Sequence, residues 1–387
     1  MNARAKRTSP WMRRADRWIG VPALAALGIT RPLFRRQISP PATIGLLKTA
    51  AIGDTVLMTG VISDLRRAFP ESSIVLFAGP SNSPIAPLIA GLSRTISISP
   101  TSPASAVRAI REAAPDVLLD FGSWPRIDAL LAALSGASRV IGFSSPGQHR
   151  HYAFDVVVPH TRAKHEIDNY RSIVRPLGIE STSLPSLSIP SSAALPEALA
   201  GELARPSLIF HTCSGGVRRE LKEWPIERWI ELGRLAGPRF QVLFTGSPAD
   251  RAVIEQIAPL IPGSLDLSGR LSLAQTALLI HRSACVVSVN TGVAHISAAL
   301  QAPTVVLDGA TTPARWGALG PRVVSISTPP PAGGFLHLGW ETPDSAKGER
   351  ADCMMLIEPL KVWEAVETLT APAPIQLGDL PCRPQAQ

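Results

Sequence analysis

A repeated rhythm of short apolar runs and longer amphipathic segments constrains this chain more than any other feature. Ile44–Lys48, Ser73–Ala78, Thr95–Ile98, Asp116–Asp120 and Arg139–Gly142 read as strands. Thr55–Phe69, Ser83–Ala90, Ala104–Ala114 and Arg126–Leu134 read as the helices between them. Strands apolar on both faces need cover on both, and a parallel sheet with crossover helices supplies it. His165–Leu177 is helical, with Ile167, Tyr170, Val174 and Leu177 at helical spacing and Gly178 as its stop.

Residues 181–203 then change character, with Pro185, Pro190, Pro196 and many serines marking a linker. The alternation restarts with strands at Ser207–His211, Phe240–Phe244, Leu265–Leu267, Cys285–Val289 and Thr304–Leu307. Its helices run from Trp224-Pro225 to Leu235, over Asp250–Leu260, after the N-cap Ser272, over Val293–Leu300 and over Glu358–Leu369. Residues 328–349, rich in Pro and Gly, read as a long loop. The expected organisation is an arm (1–40), a Rossmann-like domain (41–190), a linker (191–206), a second Rossmann-like domain (207–371) and a loose tail (372–387). Two such domains leave one cleft between them, the default site. A length of 387 residues suits this division.

The 45% hydrophobic content marks a globular chain with substantial buried sheet. Cys213, Cys285, Cys353 and Cys382 lie far apart without CxxC spacing, so neither a disulfide framework nor a zinc site is expected.

The net charge of +8 has a location. Residues 1–36 hold nine of the 38 Lys and Arg but only Asp16 of the 30 acids, which leaves the rest of the chain neutral. This arm contains the apolar run Trp18–Ile29, too short to span a bilayer as a helix, which needs about 20 residues. A secretory signal competes as an explanation. Arg31, Arg35 and Arg36 follow the run closely, and Gly20 and Pro22 interrupt it, which favours peripheral contact with an anionic membrane. An unstructured basic tail fits these residues equally well. Nucleic acid is not an expected partner, because the body has no basic stripe with interleaved aromatics.

Three places carry chemistry. Asp54 follows Gly53 and falls at the N-cap of the helix expected from Thr55. Asp is a preferred cap, and at the mouth of a parallel sheet it is also placed to take a proton from a hydroxyl. The turn before it contains neither GxGxxG nor GxxxxGK[ST], which disfavours a nicotinamide oxidoreductase. Next, Thr212–Lys222 offers hydroxyls and amides at Thr212, Ser214 and Gly215, and cations at Arg218, Arg219 and Lys222, a composition suited to phosphate. Finally, Asn290, Thr291, Gly292 and His295 gather where a parallel strand gives way to a helix, and free N–H groups there favour an anion.

The ordered set Lys48-Thr-Ala-Ala-Ile-Gly-Asp54, Lys222-Glu-Trp-Pro225, Phe244-Thr-Gly246, Asn290-Thr-Gly-Val-Ala-His295 and Ala302-Pro-Thr304 resembles glycosyltransferase family 9. These are the heptosyltransferases of lipopolysaccharide core assembly, and the resemblance covers about residues 43–320. It implies an α/β fold of GT-B type, two Rossmann-like domains whose parallel sheets face across a central cleft. It also implies inverting transfer without a metal ion or other cofactor, from a nucleotide-diphospho sugar bound by the second domain to an acceptor bound by the first. ADP-heptose is the first candidate donor, and a glycolipid or oligosaccharide the acceptor. Asp54 matches the family's proposed general base. Lys222 matches the lysine near the donor phosphates, and Thr291, Gly292 and His295 match the phosphate-binding turn. Thr212, Ser214, Gly215, Gly246 and Asn290 complete the expected donor site, with Arg126 as an acceptor contact. A cytoplasmic enzyme peripheral to the inner membrane follows from this reading.

Two departures stand out. The family's common Asp-Thr-Gly is Asn-Thr-Gly here, and an acid often found after the strand near Gly246 is Ser247. They motivate an alternative, a catalytically weakened GT-B-fold protein that binds a sugar nucleotide or glycolipid. Retention of Asp54, Lys222 and His295 together argues for the enzyme.

Overall fold

The computed structural model describes residues 16, 18–29, 40–203, 205–216, 218–336 and 351–371. Most of the basic arm, much of the Pro/Gly loop and the tail from 372 lie outside the described residues. Helix α1 (Gly20–Ile29) precedes the first half. That half comprises β1 (Thr43–Lys48), α2 (Ile52–Ala68), β2 (Ser73–Ala78), β3 (Arg94–Ser97), α3 (Pro103–Glu112), β4 (Val117–Asp120), α4 (Arg126–Ala133), β5 (Arg139–Ser144), β6 (Val156–Pro159) and α5 (Glu166–Val174). After α6 (Glu197–Glu202) come β7 (Ser207–His211), α7 (Ile226–Ala236), β8 (Gln241–Phe244), α8 (Arg251–Ile257), β9 (Leu265–Asp266) and α9 (Leu273–Arg282). The second half continues with β10 (Cys285–Val289), α10 (Gly292–Ala299), β11 (Thr304–Asp308), α11 (Pro313–Trp316), β12 (Val323–Ser327) and α12 (Pro359–Thr370).

Each half is a six-stranded parallel sheet, in the orders β3-β2-β1-β4-β5-β6 and β12-β11-β10-β7-β8-β9. The orders are the same when each half is counted from its own first strand, so the order reverses between β1 and β4 and again between β7 and β10. In such sheets ligands bind outside the carboxyl ends of the strands at that reversal. The apolar runs form strands because both faces are covered. Ile44 and Leu46 pack in a core with Val56, Leu57 and Val61 of α2. Leu47, Val75 and Phe77 pack in another with Ile110 and Ala129 from α3 and α4. This is the α/β, GT-B arrangement expected above.

Local differences have local causes. Ser83–Leu88 is a 3₁₀ segment, not an α-helix, with Pro87 inside it. Helix α2 starts at Ile52, three residues before the expected start, with Ala51 as N-cap. Asp54 is therefore in the first turn, where its Oδ2 accepts from the Ala51 N–H at 3.4 Å. The apolar run of the arm is a helix docked on the first half. Leu24 is fully buried in the core that contains Leu47 and Ala129. Asp16 accepts from the N–H groups of Arg126 and Ile127 at 2.9 and 3.2 Å and from Arg126 Nη1 at 3.0 Å. The arm's only acid thus caps α4.

The segment read as a linker is stitched to both halves. Leu187 N–H donates to Ala299 O of α10 at 3.1 Å, and Ser188 N–H donates to Leu88 O of the first half at 2.8 Å. Its start is fixed by the buried Asp64 carboxylate, which accepts from Ser181 Oγ, Thr182 N, Ser183 N and Ser183 Oγ at 2.7, 2.9, 3.1 and 2.6 Å. Burial works against this charge, but the hydrogen bonds outweigh it and lower its pKa from 3.8 to about 2. The stabilisation it contributes is complete above pH 3.8 and is lost as pH falls through about 2. Asp64→Asn is expected to cost about 2–3 kcal/mol at neutral pH through lost charge-assisted bonds. Thermal melts from pH 7 to 2 check this, because the variant should also lose that part of the acid dependence.

Candidate active site

The two halves meet where α2 and α10 begin. A Cβ placed on Gly53 would lie 2.8 Å from His295 Cδ2, and one on Gly292 would lie 3.1 Å from Ile52 Cβ. Glycine at 53 and 292 permits this approach of two helix N-termini. The turn after β1 therefore faces the turn after β10, with Asp54 on one side and Asn290 to His295 on the other.

Asp54 is held from below. Lys48, the last residue of β1, is 4% exposed and its Nζ lies 3.3 Å from Asp54 Oδ2. The same ammonium donates to Tyr170 OH at 2.8 Å and to Phe121 O at 3.2 Å, so its three hydrogens have three acceptors. Tyr170 thus reaches Asp54 through Lys48, whose ammonium lies against both. Burial, then the nearby Asp54 and Glu166 charges, keep that phenol protonated well above its usual range. Beneath the cluster lies a buried pair, Arg150 with Asp120, and Thr49 Oγ1 donates to Asp128 at 2.7 Å.

Lys222 Nζ donates to Gly215 O at 2.7 Å on the opposite side. Burial lowers Lys222 to about 8, opposed by Glu223 and Glu220, so the amine still carries its proton at neutral pH. Thr212 and Ser214 are buried in the same loop, with the Ser214 N–H on Glu223 Oε1 at 3.0 Å. Gly246 lies two residues beyond the end of β8, and its carbonyl accepts from Gly269 N–H at 2.9 Å. Ser247 beside it donates from N and Oγ to Asp250 at 2.7 and 2.6 Å. A carboxylate is thus present at this turn three residues later than the family pattern places one.

Thr291 is the N-cap of α10, its Oγ1 accepting from the Val293 N–H at 3.3 Å. His295 is lowered to about 4, first by burial, so at neutral pH it is the uncharged imidazole. Asn290 Nδ2 donates to Asp308 Oδ1 and, at 3.3 Å, to Trp316 O. Asp308 has no cationic partner among the described residues. Burial raises it to about 6, against hydrogen bonds from Asn290, Thr311 and Ser325. Among the described residues no group of three His, Cys, Asp or Glu side chains is arranged to hold a metal ion.

The profile of Glycosyltransferase family 9 (heptosyltransferase) matches residues 105–333, more than half of the chain. This chain belongs to glycosyltransferase family 9. The stretch aligned to Lipopolysaccharide heptosyltransferase 1 of Salmonella typhimurium is 32% identical over 114 residues, which is 29% of this chain and 35% of that relative. The alignment therefore spans about a third of the curated relative. Solved structures share the fold over nearly their whole length. A family 9 glycosyltransferase from Veillonella parvula has a TM-score of 0.72 at 18% identity, covering 87% of this chain and 99% of its own. The E. coli ADP-heptose lipopolysaccharide heptosyltransferase II has a TM-score of 0.66 at 19% identity, covering 85% and 98%.

The family 9 profile starts after Asp54, so the case for that residue rests on where the fold places it. Of the residues anticipated from sequence, Asp54, Gly292 and His295 come together at the junction of the halves. Thr212, Ser214, Gly215 and Lys222 form one loop beside β7, and Gly246 lies one strand further out. Arg126 falls elsewhere. It is 7% exposed, with Nη1 on Asp16 and Nη2 donating to Gly147 O at 3.1 Å. It anchors the arm through Asp16, a partner 110 positions away. Lys48, Tyr170, Asp250 and Asp308 were not anticipated as site residues. A lysine ending a buried apolar run was a usable signal for Lys48, since a buried charge needs a partner.

Proposed function

We propose that this chain moves a heptose or related sugar from a nucleotide-diphospho sugar to a hydroxyl of a cell-envelope glycolipid, with inversion. The observation that carries this reading is the contact of the two helix starts, which sets a carboxylate against an anion-binding turn. Asp54 takes the proton of the acceptor hydroxyl, and the oxygen attacks the anomeric carbon from the face opposite the leaving group. The anomeric carbon–oxygen bond breaks, and the nucleoside diphosphate departs with the electron pair. Lys222, the loop around Ser214 and Gly215, and the N-terminus of α10 with Thr291 receive the diphosphate charge, while neutral His295 offers a hydrogen bond. ADP-heptose is the first donor to try, because the E. coli relative carries that donor in its name. A panel of nucleotide-diphospho sugars tests this by thermal shift. The true donor at about 100 times its Kd stabilises by about 2.7 kcal/mol. Transfer of its labelled sugar into a lipid extract then completes the test. A bound donor without transfer supports the binding-protein alternative.

The reading places the enzyme on the cytoplasmic face of an inner membrane, with α1 as its contact. No helix among the described residues is long and apolar enough to cross a membrane. Helix α1 has no charged residue and is docked through Leu24, while Ile29 at its end and Trp18 and Ile19 just before its start are 86%, 76% and 68% exposed. An apolar face flanked in sequence by arginines suits shallow insertion among anionic lipids. Wild-type protein is expected to co-sediment with phosphatidylglycerol vesicles and much less with phosphatidylcholine. Trp18→Ser with Ile29→Ser should release it, and unchanged binding would rule out α1 and the two residues before it as the contact.

A further inference from the structure

Three consecutive residues of the second half make contacts that join the two sides of the site. Arg315 Nη2 pairs with the Glu166 carboxylate at the start of α5, and its Nη1 donates to Lys164 O at 2.8 Å. Trp316 O accepts from Asn290 Nδ2 at 3.3 Å. Gly317 O accepts from His165 Nε2 at 3.0 Å. The middle residue thus grips the turn after β10, while its two neighbours grip the first half.

The protonation states agree with this geometry. His165 Nδ1 accepts from the Ile167 N–H at 3.2 Å as the N-cap of α5, so the ring proton sits on Nε2, facing Gly317. Burial lowers the His165 pKa, which favours that neutral tautomer. Glu166 and Arg315 are 1% and 4% exposed, and His160 Nε2 lies 3.1 Å from Glu166 Oε1. A buried ion pair is poor evidence for stability, because desolvation offsets its attraction. It is good evidence for geometry, since parting the halves takes the carboxylate from Arg315 and leaves Glu166 with His160 and Asn169. One helical turn beyond Glu166 stands Tyr170, whose hydroxyl accepts from Lys48 Nζ at 2.8 Å, and that ammonium lies 3.3 Å from Asp54 Oδ2.

We infer that Arg315 and His165 are positioning residues, which clasp α5 and so set the Asn290–His295 turn against Asp54. The connection runs from Asn290 through the Trp316 carbonyl and Arg315 to Glu166, along α5 to Tyr170, and through Lys48 to Asp54. Neither positioning residue touches the reacting atoms. The strap acts on the rate of transfer and not on the hold of the second half on its nucleotide. This inference rests on the transferase reading above.

The test pairs Arg315→Met with Glu166→Gln, which removes both charges together and leaves none buried alone. The double variant should melt close to wild type and bind ADP with a Kd within about threefold of wild type. Its kcat should fall at least about tenfold, because reacting groups displaced by about 1 Å lose that much or more. Small-angle X-ray scattering of the full chain should give a larger radius of gyration. Arg315→Lys keeps the charge but not both contacts, and should fall between. Wild-type kcat with an unchanged scattering profile would overturn the inference, as would a kcat loss that only follows the folded fraction. If wild type transfers no sugar from any donor, the functional reading fails, and the scattering comparison alone decides the strap.

Discussion

Asp54→Asn is expected to lower kcat by about 10²–10⁴-fold, the range a general base contributes, while ADP binding measured by calorimetry stays near wild type. The substitution is close to isosteric and keeps the Lys48 and Tyr170 neighbours in place, so the fold should persist. The expected split follows from the architecture. Asp54 belongs to the first half, whereas Lys222, Ser214 and Thr291, the groups proposed to meet the diphosphate, belong to the second. A variant that keeps more than a few per cent of the rate would remove Asp54 from the role of base. A variant that loses ADP affinity in parallel would show that the carboxylate organises the donor turn instead.

Asn290→Asp is the second large effect, and it runs against the family's own pattern. Asp-Thr-Gly is common at this turn in the family, yet here the substitution should damage the protein. Asn290 Nδ2 donates to Asp308, which is buried and without a cation among the described residues. A second carboxylate at 290 would face the first at hydrogen-bond distance, and leaving such a charge uncompensated costs about 3–5 kcal/mol. Two such groups hold one shared proton, so the folded-state pKa of the pair rises. The loss should therefore be greatest at neutral pH and recede as pH falls below that raised pKa. Adding Asp308→Asn restores one acid and one amide in exchanged positions and should recover most of the melting temperature. Melts of the single and double variants between pH 5 and 8, about the range where a buried carboxylate pair titrates, check both parts. If the single variant is as stable as wild type at neutral pH, the hydrogen bond to Asp308 does not govern Asn290.

That pair also explains why the asparagine was hard to interpret from sequence. An amide in place of an acid reads as a lost charge when only the turn is visible. The fold supplies the acid from the next strand, 18 positions later, where Asp308 ends a run that reads as plain buried strand. Ser247 is a parallel case at shorter range, since Asp250 lies three residues on and caps the same turn. Arg126 is the opposite case. Its position at the head of a helix after a strand suggested a substrate contact, and the fold brings Asp16 from the arm to the same guanidinium.

What the sequence determined by itself is whatever depends on neighbours along the chain. Apolar runs separated by amphipathic helices dictate parallel sheets covered on both faces, and the Pro/Ser stretch separates two of them. The strand-to-helix turns at Gly53-Asp54 and Asn290-Thr291-Gly292 are local too, so the residues proposed for base and donor turn were legible without a structure. Tertiary structure decided how those turns meet and what supports them. Lys48 finds Tyr170 122 positions away, and Arg315 finds His160 155 positions away, beside Glu166. No periodicity encodes such pairs, because what selects them is the need of a buried charge for a partner, and only the packed fold shows which partner is in reach.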